Sequence, residues 1–126
     1  MAAGVRIEMT DGSLDVGSFD LLGTAAEPVV ITSAQPNPAP GDWGCISSGA
    51  ALRIEHAVIE YAGSGQSCTG ASYRVAINAA GGTTITDSVF RNISGSALHT
   101  DCGDDIGGGC ADTFEGLEAE PLLCGT

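Results

Sequence analysis

The sequence predicts an all-β chain: a solenoid of about three to four coils of short parallel strands, three strands to a coil. Three observations lead there. Helical periodicity is nearly absent, the one exception being a short run at 114–123 that includes Glu120-Pro121. Brief β-type runs are broken throughout by Gly, Ser, Asn and Asp. Apolar positions also recur at one fixed interval of 31 residues.

The runs fall in order at Val5-Arg6-Ile7, 13–16, Val29-Val30-Ile31, Leu52-Arg53-Ile54, 57–61, 74–77, 83–85 and 88–93. Each is too short to bury a face alone and needs stacked neighbours. Ile46 to Ile77, Ile54 to Ile85, Val58 to Val89 and Ile59 to Phe90 all span 31 positions. A constant interval is what sets one side chain above its counterpart in the previous coil. One coil therefore reads as Ile46, then Leu52 and Ile54, then Val58-Ile59 on three faces. The next reads as Val75 and Ile77, Ile85, and Val89-Phe90, and Ala97-Leu98 opens another. Val5 and Ile7, Leu14 and Val16, and Val29 to Ile31 fit a first coil less regularly. Residues 63–72, small, polar and containing Cys68, read as a loop inserted between faces.

Residues 1–100 are thus assigned to coils. Residues 101–126, with Asp104-Asp105, three consecutive Gly and three Cys, are expected to form an acidic Cys/Gly-rich external loop or end cap rather than a separate domain. A bare solenoid end exposes strand edges and core, so a stapled segment there is physically sensible.

Composition narrows the function classes. Sixteen acids face four Arg and no Lys, for a net charge of −12. Affinity for phosphate backbones comes from Lys and Arg, so nucleic-acid binding is excluded as an expectation, and anionic membrane surfaces are disfavoured. No stretch reaches the roughly 18 apolar residues of a membrane span. The opening residues 1–9 lack the continuous apolar region of a secretory signal, so the chain is expected either to have lost one or to be an internal piece of something longer.

The five cysteines, Cys45, Cys68, Cys102, Cys110 and Cys124, contain no Cys-x-x-Cys pair, which argues against zinc or redox-motif chemistry. Disulfides in an oxidising compartment, extracellular or cell-envelope, are the better reading. Cys45 with Cys68 and Cys102 with Cys110 are the preferred pairs, although spacing alone fixes no connectivity. Cys124 is the natural odd thiol.

Residues 5–98 resemble a known group. Gly23-Thr24-Ala25-Ala26-Glu27-Pro28-Val29-Val30-Ile31, Pro40-Gly41-Asp42-Trp43-Gly44 and Ile59-Glu60-Tyr61-Ala62-Gly63 look like the opening coils of bacterial right-handed parallel β-helix repeat proteins of the extracellular or surface type. The resemblance implies a right-handed β-helix with further coils of the parent chain as its immediate partner. It implies no particular activity, because pectin-active lyases and hydrolases share the fold with non-enzymatic surface proteins. Members of that group run to many more coils, and a Cys-rich tail is not part of their pattern.

Candidate sites are few. Asp101, Asp104, Asp105 and Asp112 could supply several of the six to eight oxygens calcium takes, but they lack EF-hand and β-roll spacing, and a solvated loop is the ordinary alternative. The same carboxylates invite a two-carboxylate glycosidase reading. The Gly-His-Gly and Arg-x-Lys elements of β-helix hydrolases are absent, however, and the lyases' basic residue could only be Arg53, Arg74 or Arg91. His99, just before the acids, and Trp43 could contact glycan, against the plainer readings of a surface histidine and a packed corner. The expectation is a non-catalytic structural or binding module of a secreted or cell-surface protein, its partner a carbohydrate or another surface protein, with no cofactor unless calcium. The alternative is a truncated piece of a polysaccharide lyase or hydrolase.

Overall fold

A computed structural model describes residues 1–17, 19–65, 74–79, 83–101, 113–115 and 122–125. The chain is all-β. Its strands are β1 (Arg6–Met9), β2 (Leu14–Asp15), β3 (Leu21–Leu22), β4 (Val29–Ser33), β5 (Ile46–Ser47), β6 (Arg53–Glu55), β7 (Ala57–Glu60), β8 (Val75–Asn78), β9 (Thr84–Thr86), β10 (Val89–Arg91), β11 (Ser96–Asp101), β12 (Thr113–Glu115) and β13 (Leu122–Gly125). They form three parallel sheets, ordered β1-β4-β7-β10-β12, β2-β5-β8-β11-β13 and β3-β6-β9. Through β9 the chain visits these sheets in strict rotation, so each circuit lays one strand on each sheet.

The register matches the interval read from the sequence. Ile46 pairs with Ile77, Ile54 with Ile85, Val58 with Val89 and Ile59 with Phe90. Their inward members form one core: Ile46, Ile54, Ile59, Ile77, Ile85 and Phe90 are each at most 1% exposed. Complete burial of such side chains is worth about 1.5–3 kcal/mol apiece.

The first circuit differs from its expected layout. Val29 to Ile31 do not make a third face beside Val5 to Ile7. They lie in β4, directly over β1, with Ile7 paired to Ile31. The third face is β3, where Leu21 is fully buried and pairs with Ile54. The chain folds this way because β1 to β4 is a shorter step, Arg6 to Val30, than the 31-residue step that follows in the central coils.

Residues 113–115 and 122–125 are strands that extend two sheets: Val89 pairs with Thr113, and Leu98 with Leu122. The helix-like run at 114–123 therefore opens in β12 and closes in β13, and no helix occurs among the described residues. Strand wins at both ends because an existing strand, β10 or β11, offers a ladder to join.

Corners are made by single left-handed residues. His56 (φ 48°) and Asp87 (φ 51°) turn the chain from β6 into β7 and from β9 into β10. Tyr61 (φ 67°) and Asn92 (φ 55°) follow β7 and β10 one coil apart. Asn, Asp and His tolerate this region better than most residues. Gly63 (φ 99°) is required for a different reason, since a Cβ there would overlap the backbone of Ser94 in the next coil.

Candidate functional site

Among the described polar side chains some join coils and others sit at corners, and one register position of the second sheet carries a row of polar residues. The joining group is the most regular. Ser13 Oγ accepts from Cys45 N (2.9 Å), Asp20 Oδ1 from Arg53 N (2.8 Å), Thr83 Oγ1 from Leu52 N (3.1 Å) and Ser88 Oγ from Ala57 N (3.2 Å). Each bond crosses 31 to 33 residues, one coil. All four occur where a strand is beginning and the backbone ladder has not yet started. Left bare, the buried N–H groups of Leu52 and Ala57 would lose their bond to water without replacement, at about 1–3 kcal/mol. Thr83 and Ser88 are at most 1% exposed, so their hydroxyls are committed to this role.

The loop before β5 is held similarly. Asp42 Oδ2 accepts from Ser33 Oγ (2.6 Å) and from Ala39 N (3.0 Å). Trp43 follows at once. Its ring is 1% exposed and its indole N–H donates to Glu60 O at 2.8 Å. A ring enclosed in the core offers no face to a sugar, so Trp43 packs the corner and is not a glycan contact. Its N–H finds a partner inside, as a buried indole requires.

At the corners, His56 Nε2 lies 3.8 Å from Asp87 Oδ2, both side chains partly exposed. On the first sheet, Arg91 Nε lies 3.3 Å from Glu60 Oε2. That nitrogen is buried and makes no aligned hydrogen bond, so the contact is a Coulombic ion pair rather than a directed one. Arg53 pairs with Glu55 at 2.6 Å on an exposed face, where such a pair contributes about 0–1 kcal/mol. Of the three arginines considered as lyase bases, Arg53 and Arg91 are thus engaged by carboxylates, and Arg74 donates to Ser94 Oγ.

His99 sits in β11, paired with Asn78 of β8 and Leu123 of β13. Asn78 pairs with Ser47, and Ser47 with Asp15. One register position of the second sheet therefore runs Asp15, Ser47, Asn78, His99. Each follows an apolar residue, in Leu14-Asp15, Ile46-Ser47, Ile77-Asn78 and Leu98-His99. Adjacent rungs are about 4.8 Å apart, which puts the backbones of Ser47 and His99 about 9.6 Å apart.

Asp101 closes β11, paired with Gly125. Asp104, Asp105 and Asp112, and with them the calcium reading, lie outside the described residues, as do Cys68, Cys102 and Cys110. Among the described residues no three His, Cys, Asp or Glu side chains gather as a metal site. No described helix is long and apolar enough to cross a membrane. No protein-family model matches the chain, and neither curated proteins nor solved structures give a match.

Proposed function

We propose that the chain is a right-handed parallel β-helix module with a structural or binding role in a secreted or cell-surface protein. One observation carries this reading: side-chain acceptors at the starts of strands are spent on joining coil to coil. Thr83, Ser88, Ser13 and Asp20 each hold a backbone N–H of a neighbouring coil, and Asp42 holds Ser33 Oγ and Ala39 N within its own loop, so these groups serve the scaffold. Right-handed winding is supported by the general preference of strand–crossover–parallel-strand connections, about 98% of which are right-handed. Incubation with polygalacturonate and other acidic polysaccharides tests the role. Unchanged polymer length is expected, and depolymerisation would overturn the reading in favour of a lyase or hydrolase.

An oxidising compartment is part of the proposal. Its support is a set of five cysteines without Cys-x-x-Cys spacing, Cys45 among them with Cys68 as its proposed partner. Thiol labelling and peptide mass mapping before and after reduction test it. A linked 45–68 peptide is expected. Five free thiols in protein purified from its native compartment would remove both the bridge and the compartment.

A further inference from the structure

We propose that Asn92 is the attachment point of an N-linked glycan whose first sugar rests on the ring of Tyr61. Asn92-Ile93-Ser94 is an Asn-x-Ser acceptor motif with a residue other than proline in its middle. It is the one such motif among the three asparagines of the chain, since Asn37 precedes Pro38 and Ala39, and Asn78 precedes two alanines. The site lies where β10 ends and the chain turns toward β11. Asparagine needs no special reason to hold a left-handed corner, but two features of its surroundings go further. The Asn92 side chain is half-exposed and makes no hydrogen bond among the described residues, so its amide nitrogen is available. One coil below, the equivalent corner is held by Tyr61 at φ 67°. A bulky residue is a strained choice there, and strain of this kind collects where function needs a particular side chain. Glu60 pairs with Arg91, so Tyr61 and Asn92 are successive rungs, their backbones about 4.8 Å apart. A sugar carried on Asn92 begins beside the half-exposed Tyr61 ring, whose apolar face suits the C–H face of a pyranose.

The inference rests on the secreted reading above, under which the chain meets lipid-linked sugar donors. The donor is an oligosaccharide on a lipid diphosphate. Asn92 Nδ2 bonds to the anomeric carbon, and the bond from that carbon to the diphosphate oxygen breaks. Its electron pair leaves with the lipid diphosphate, and one amide proton passes to a base of the transferase. The fold sets the timing. Ile93 is fully buried and Ser94 is 5% exposed. Ser94 N donates to Ala62 O, and Ser94 Oγ accepts from Arg74. Gly41 closes over the same residue, since a Cβ there would sit 3.3 Å from Ser94 Cβ. A transferase that reads the Ser94 hydroxyl cannot reach it in the folded chain, so the sugar is added before this corner closes. Asn92 itself stays at the surface, which keeps the glycan outside the core.

Peptide mass mapping of protein purified from its native compartment tests the attachment. The peptide containing Asn92 is expected to carry sugar mass, and amidase release of the glycan is expected to leave aspartate at that position. Unmodified Asn92 in protein with bridged cysteines overturns the inference and leaves the secreted reading standing. Unmodified Asn92 with all cysteines free overturns both. A second measurement tests the platform. Tyr61→Asn installs the residue that the next coil uses at this corner, and the glycan is expected to remain. Releasing it should lower the melting temperature by about 4 °C or more in the parent and by less than about 1 °C in Tyr61→Asn. The amide-to-acid change is common to both proteins, so the difference isolates the ring. Equal falls overturn the role given to Tyr61. If Tyr61→Asn fails to fold, the peptide mass decides alone.

Discussion

The central coils and the first coil obey different rules. From 46 to 91 every sheet repeats at 31 residues, corners fall at matching left-handed positions, and the inward residues are sealed. In the first circuit the steps vary, and Ile7, Met9 and Leu14 are only partly buried. A solenoid coil owes its burial to neighbours on both sides, and among the described residues the first circuit has one on one side only. Regular spacing and complete burial therefore belong together, and both fade in the first circuit.

Equivalent truncations on one sheet should break this contrast most clearly. Ile59 and Ile7 both point inward, the first fully buried and the second not. Ile59→Ala is expected to destabilise by about 2–5 kcal/mol, and Ile7→Ala by less than about 2 kcal/mol because part of its surface already meets water. Chemical denaturation of both variants checks the difference. Equal losses would mean the first coil is as well packed as the centre.

A smaller effect sharpens the role given to the joining side chains. Thr83→Val keeps the shape but removes the acceptor for Leu52 N, and about 1–3 kcal/mol is expected to be lost. Thr86→Val, on the same sheet but half-exposed, should stay within about 0.5 kcal/mol. If the two variants melt alike, the cross-coil bond contributes nothing beyond filling space.

The same contrast explains what could be read from the residues. The stacking of Ile46 on Ile77 and Val58 on Val89 was legible because the intervening segments are equally long in those two coils. Leu21-Leu22 was not, since two apolar residues between Asp20 and Gly23 make no pattern until Ile54 is known to lie above them. Val29 to Ile31 read plainly as a strand, yet its sheet depended on loop lengths that differ from the central ones. The caps at Thr83, Ser88 and Ser13 are bonds between coils, so nothing local to those residues announces them. Trp43 could be weighed as corner or sugar platform, and only its burial and the indole bond to Glu60 O decide for the corner. The row through Asp15, Ser47, Asn78 and His99 needs the registers of three strand pairs before it exists at all.

The stacking itself is tested most directly by inter-strand proton contacts in solution. An NMR spectrum of isotope-labelled protein should give nuclear Overhauser contacts between Ile59 and Phe90, Ile54 and Ile85, and Ile46 and Ile77, with the pattern of parallel strands. Contacts of an antiparallel hairpin between segments 53–55 and 57–60, with none linking residues 31 apart, would contradict it.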